Sequence, residues 1–168
     1  MTVCVGLLHK DYAILASDSL GVLEDGRTKD KCKKIIETGA KGYLAISGTL
    51  GAGQKLARLL GQHVNPLDVP FNEIPDEPPY CLYLTPDRKL LEIDCGFGVS
   101  PIEEGEYACI GCGCDIARTS MMKQIGKRKI ETMGFKETAK IVEIAIKDAC
   151  SLNIFCGGDV VVKIFKRG

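Results

Sequence analysis

Short apolar runs broken by polar turns dominate the first half of the chain. Residues 2–8 and 12–17 are β-rich and flank His9-Lys10-Asp11, which predicts a hairpin. Residues 19–30 are polar and carry Asp25-Gly26, a turn signal. Residues 32–37 and 43–47 predict a second strand pair joined across Gly39 and Gly42. The period then changes. Over residues 50–62, Leu56, Leu59 and Leu60 share one face, with Lys55 and Arg58 flanking them, which predicts a helix. Pro66, Pro70, Pro75, Pro78 and Pro79 rule out a regular helix in the next segment. Residues 80–85 and 90–94, around Pro86-Asp87-Arg88, predict a third hairpin, and residues 107–111 a further strand. Helices are expected over 115–129 and 136–150. In the second, Thr138, Ile141, Val142, Ala145, Ile146 and Ala149 form an apolar stripe. Residues 159–165, Val-rich with Lys163 alternating, predict a closing strand.

Strands in blocks and helices in blocks indicate an α+β fold rather than a βαβ array. The length of 168 residues fits one domain over 1–168, and no repeat or low-complexity tract divides it. Hydrophobic residues at 45% and charged residues at 26% exclude a disordered or fibrous chain. The 22 Lys+Arg and 22 Asp+Glu cancel, so the sequence offers no basic field for nucleic acid or an anionic membrane. No apolar stretch approaches the ~18 residues of a membrane span. The start, Met1-Thr2-Val3-Cys4-Val5-Gly6, lacks the basic region of a secretory signal. A soluble, cytoplasmic domain is expected.

Nine cysteines raise redox and metal chemistry. The number is odd, and the tightest pair is Cys112-Gly113-Cys114. Cys4, Cys81, Cys95 and Cys109 lie in apolar strand-like runs, where a free thiol acts as a small buried hydrophobe. The two histidines, His9 and His63, lie far from the tight pair, so the spacing for a zinc site is lacking. Reduced core packing is the expected role, with no metal site.

The most pointed chemistry is at the start. If Met1 is removed, Thr2 carries both a hydroxyl nucleophile and a free α-amine. Such an amine titrates near ~7.7–8 and can serve as general base at neutral pH. A threonine at position two is commonplace, and alone it means little. With its surroundings it means more. Thr2-Val3-Cys4-Val5-Gly6, followed by Ala13-Ile14-Leu15-Ala16-Ser17-Asp18-Ser19, resembles the opening of proteasome β subunits and of the bacterial HslV peptidase. In that family an Asp lies sixteen residues after the terminal Thr and a Lys sixteen further on. Counting from Thr2 gives Asp18 and Lys34, and Lys33-Lys34-Ile35 resembles the K-K-V of HslV. The resemblance implies that Lys34 keeps the α-amine unprotonated and that Asp18 fixes Lys34. Without it, Asp18 reads as a turn cap and Lys34 as a solvated strand-edge charge.

The resemblance continues along the chain. Ser47-Gly48-Thr49-Leu50-Gly51-Ala52-Gly53 is similar to the family's glycine-rich turn into its first helix, where a backbone N–H forms the oxyanion hole. Two alignments are open, giving Gly51 or Ala52 as donor. Ile110-Gly111-Cys112-Gly113-Cys114 resembles a G-S-G element whose Ser bonds the terminal amine. Cys112 replaces that Ser, and a thiol makes a poorer bond. Asn153-Ile154-Phe155-Cys156-Gly157-Gly158 resembles D-x-x-S-G-G, with Asn153 for the Asp and Cys156 for the Ser. Residues 64–79 depart most, a proline-rich loop standing where the family has its second long helix. Gly21, Cys32, Ile36 and Leu50 fall where the family lines an apolar specificity pocket, and read equally as core residues.

The family resemblance implies a four-layer α-β-β-α sandwich, the fold of N-terminal nucleophile hydrolases. It implies a threonine-type endopeptidase with catalytic residues Thr2, Asp18, Lys34 and Gly51, supported by Cys112, Asn153 and Cys156. No cofactor is implied. The implied partners are a polypeptide substrate, copies of the chain in a homo-oligomeric ring, and an ATP-dependent unfoldase. The alternatives are a non-catalytic structural subunit of the same fold and a hydrolase acting on a small amide. A metal or redox module on Cys112 and Cys114 is the remaining rival.

Overall fold

The computed structural model describes residues 2–22, 28–29, 31–39, 41–63, 66–70 and 79–166. Strands β1 (Val3–His9) and β2 (Tyr12–Ser17) form the expected hairpin. Next come β3 (Gly21–Val22), β4 (Thr28–Lys29), β5 (Ile35–Glu37) and β6 (Tyr43–Ser47), then helix α1 (Leu50–Gln62). Strands β7 (Tyr80–Leu84), β8 (Leu90–Ile93), β9 (Val99–Ile102) and β10 (Tyr107–Gly111) precede helices α2 (Cys114–Ile125) and α3 (Phe135–Leu152), and β11 (Val161–Lys166) ends the order. One antiparallel sheet runs β10-β1-β2-β11 and a second β5-β6-β7-β8-β9, with β3 and β4 as a small separate ribbon.

Three apolar cores hold these parts in four layers. Val3, Val5 and Leu7 of β1 pack with Met121, Val142, Ala145 and Ile146, so α2 and α3 cover the first sheet. Cys4 and Leu15 instead meet Leu82, Leu84 and Leu90 between the two sheets. Leu44, Ile46 and Cys81 pack under Leu56, Leu59 and Leu60 of α1, which covers the second sheet. Because β1 and β2 are buried on both faces, their sequences are continuously apolar rather than alternating. The result is the expected α-β-β-α sandwich of the α+β class.

Several local expectations need correction. Residues 19–30 are not simply polar loop, since Gly21 and Val22 pair with Lys29 and Thr28. The turn signal Asp25-Gly26, Pro75, Pro78 and Met1 lie outside the described residues. Strand β9 escaped the pattern because it reads Val-Ser-Pro-Ile; Pro101, which has no N–H to donate, is tolerated at a sheet edge. Helix α2 stops at Ile125 rather than 129. Gly126 turns to φ 62° and its N–H returns to the Met122 carbonyl, ending the helix. Cys95 is exposed in the β8–β9 turn and is not a core thiol.

Cys4, Cys81 and Cys109 are buried as expected. Burial pushes the Cys109 thiol up to about 12 and that of Cys150 to about 11, and raises Cys4 and Cys81 as well. Unfolded, these thiols titrate near 9.0, so between about pH 9 and about 12 the folded chain holds protons that the unfolded chain releases. Stability is therefore present in full below that window and falls as pH rises through it. Thermal melts taken from neutral pH into the window are expected to show a declining Tm, with a shallower decline for Cys109→Ala. Equal slopes for the two proteins would contradict this account.

Candidate active site

The β1–β2 hairpin brings the start of one strand against the end of the other. Asp18 N–H donates to the Val3 carbonyl at 3.2 Å, and Val3 N–H donates to Asp18 Oδ1 at 3.0 Å. Asp18 is thereby fixed beside the peptide that follows Thr2. Lys34, just ahead of β5, brings its Nζ to 2.7 Å from Asp18 Oδ1. Gly157 N–H donates to Oδ2 at 3.0 Å. Asp18 is 0% exposed and Lys34 6%, so Lys34 is a buried partner and not a solvated edge charge. A buried carboxylate is tolerated when a cation and further donors satisfy it, as three do here.

The turn from β10 into α2 supplies the other wall. Gly111 sits at φ 92°, and a Cβ there would fall 2.2 Å from the Thr2 carbonyl oxygen and 2.8 Å from Ser47 Oγ. Only glycine leaves room there for the Thr2 backbone and the Ser47 hydroxyl. Thr2 N–H donates to Cys112 Sγ at 3.3 Å, and the thiol donates back to the Thr2 carbonyl at 3.4 Å. Cys156 Sγ lies 3.6 Å from Cys112 Sγ. The neighbour of Cys112 is thus Cys156 and not Cys114, whose thiol turns to Asp115.

Asn153, at the C-terminal end of α3, donates from Nδ2 to the Cys112 carbonyl at 2.8 Å and accepts from Phe155 N–H at Oδ1. An ionised Asp has no donor and would set an oxygen against that carbonyl. The amide fits this site where the acid would not.

Two further residues tie the loop to the hairpin and were not singled out from sequence. Ser19 N–H donates to the Gly157 carbonyl, and Ser19 Oγ accepts from Asp159 N–H at 2.8 Å. A Cβ on Gly158, at φ 74°, would lie 2.5 Å from Ser19 Oγ. The available signal was the pairing of Ala-Ser-Asp-Ser at one strand end with Gly-Gly before another.

Six of the seven candidate residues therefore converge: Thr2, Asp18, Lys34, Cys112, Asn153 and Cys156. Gly51 lies in the first turn of α1, whose N–H groups have no acceptor within the helix. Gly51 is exposed and Ala52 is buried, so Gly51 is the reachable donor of the two. The chain runs to it from Ser47, whose Oγ, like the Thr2 carbonyl oxygen, lies beside the Cα of Gly111 where a Cβ would stand. Of the pocket candidates, Gly21 and Cys32 touch, Leu50 is exposed, and Ile36 packs into the core under α1. Among the described residues no helix is long and apolar enough to cross a membrane.

Residues 2–73 match the family model for proteasome subunits, a segment that holds Thr2, Asp18, Lys34 and Gly51 but not Cys112, Asn153 or Cys156. No curated protein sequence matches the chain. The crystal structure of eukaryotic HslV from Trypanosoma brucei superposes with a TM-score of 0.75 at 14% identity, covering 98% of this chain and 99% of that one. At that identity the likeness speaks for the fold. The family-model match, over less than half of the chain, and the shared fold make this chain similar to proteasome subunits and to HslV.

Proposed function

We propose that the chain is a threonine peptidase of the proteasome type, an endopeptidase whose nucleophile is Thr2 after removal of Met1. The Thr2 hydroxyl attacks the scissile carbonyl while its own α-amine takes the proton. Lys34, held by Asp18, keeps a positive charge near that amine and favours its neutral, basic form. The N–H of Gly51 faces the oxyanion, where a helix N-terminus favours negative charge. Water then hydrolyses the acyl-enzyme. Cys112, anchored by Asn153 and backed by Cys156, holds the backbone of Thr2 in place.

The observation carrying this reading is the buried Lys34–Asp18 pair at 2.7 Å, bonded through Asp18 to the amide after Thr2. By family likeness the subunit works in a ring of its own copies, in the cytoplasm, fed by an ATP-dependent unfoldase. The domain over 1–168 is taken as one folding unit.

The test is the intact mass of protein expressed with nothing ahead of Met1, alongside hydrolysis of a fluorogenic peptide with an apolar residue before the scissile bond. A mass short by one methionine and turnover of the peptide are expected. A full-length mass that persists, with no turnover, would leave Thr2 without its base and favour the structural-subunit alternative. That alternative draws on one observation, the 2% exposure of Thr2.

A further inference from the structure

Two thiols stand where a single proton-bearing contact to Thr2 would suffice. Cys112 Sγ takes part in two bonds with the Thr2 backbone, and 3.6 Å away is a second thiol with no part in those bonds, Cys156. The pair is asymmetric. Cys112 is exposed on the β10–α2 turn, whereas Cys156 is 4% exposed beneath it. Gly113 permits this stacking, because a Cβ there would lie 2.9 Å from Cys156 Sγ. We propose that Cys112 and Cys156 form a reversible disulfide on exposure to a hydroperoxide, withdrawing the Cys112 thiol from Thr2.

The chemistry balances with the hydroperoxide as oxidant. The Cys112 thiolate attacks the peroxide oxygen, giving a sulfenic acid and releasing water or the alcohol. The Cys156 sulfur then attacks the Cys112 sulfur, forming the S–S bond and expelling a second water. Two thiols are oxidised, the peroxide is reduced, and both thiol protons leave in the products. Accessibility selects Cys112 for the first step. Burial, reinforced by the neighbouring Cys112, raises the Cys156 thiol and keeps it protonated, which leaves the first attack to Cys112.

Closing the gap from 3.6 Å to the ~2.05 Å of a disulfide needs a small side-chain rotation rather than movement of a helix. Cys112 sits on a turn and Cys156 on a loop, the segments that yield most readily. The bonded sulfur has no proton to donate to the Thr2 carbonyl, and that contact is lost.

The effect on hydrolysis rests on the peptidase reading above; the disulfide does not. The test treats the full chain with hydrogen peroxide, blocks remaining thiols, and maps peptides by mass spectrometry without reductant. A cross-linked peptide joining Cys112 to Cys156, lighter by two hydrogens and released by dithiothreitol, is expected. It should be missing from both Cys112→Ser and Cys156→Ser. Fluorogenic-peptide hydrolysis should fall by roughly tenfold on oxidation, as for loss of one hydrogen bond that positions the reacting group, and recover on reduction. Over-oxidation of Cys112 without the cross-link, or pairing of Cys156 with Cys150, would overturn the proposal. A cross-link with undiminished hydrolysis would overturn its regulatory consequence. A reduced protein that cross-links yet never hydrolyses peptide would overturn the peptidase reading together with that consequence, and leave the disulfide standing.

Discussion

Replacing Thr2 with alanine is expected to lower kcat/KM for a fluorogenic peptide by on the order of 10⁴-fold, to near the uncatalysed background. The substitution removes the nucleophile and leaves the α-amine, Asp18 and Lys34 in place. The two backbone contacts of Thr2 with Cys112 survive the substitution, and a single change of this size is expected to cost about 1 kcal/mol. Circular dichroism and the thermal midpoint measure that half of the expectation. Thr2→Ser keeps a hydroxyl on the same carbon and should retain most turnover. Undiminished hydrolysis by the alanine variant would remove Thr2 from the mechanism.

The second large effect concerns stability. Asp18→Ala is expected to cost about 3–5 kcal/mol, because it removes the carboxylate that compensates the buried Lys34 ammonium. It also removes the acceptor of two backbone N–H groups, those of Val3 and Gly157. Lys34→Met should be comparably damaging for the opposite reason, leaving the carboxylate uncompensated. The double variant should recover much of the loss, since an apolar pair no longer buries a charge. Denaturant melts of the four proteins decide the matter. Strict additivity of the two single losses would show that the pair is not coupled.

Much of this architecture could be read before any coordinates. The β1–β2 hairpin, α1 and β10 lie where hydrophobic period and turn residues put them, because packing and propensity agree there. Strand β9 could not be read, since its two-sided demand is weak at a sheet edge and Pro101 masks it. The 21–22 and 28–29 ladder has too few residues for a period. The end of α2 turned on the backbone conformation of one glycine, Gly126, which composition does not announce.

At the site, the even spacing of Thr2, Asp18 and Lys34 was visible through its resemblance to the family's Thr, Asp and Lys pattern, each residue flanking a strand. The Cys112–Cys156 contact was not, since a turn and a loop separated by most of two helices meet only in space. The suitability of Asn153 was hidden for the same reason: its partner is a carbonyl, and sequence does not say which way that carbonyl points.

Chain ends usually fray, and a reactive group carried on one would spend much of its time out of register. Here the strand that begins at Val3 lies between β10 and β2 within its sheet and between two apolar cores across it. Freeing Thr2 would mean parting both neighbours and opening both cores, which amounts to unfolding the domain. The strand that follows Thr2 is thus held as firmly at its first residue as at its middle. If Thr2 attacks as proposed, the entropy of aligning it is met during folding, before any substrate arrives.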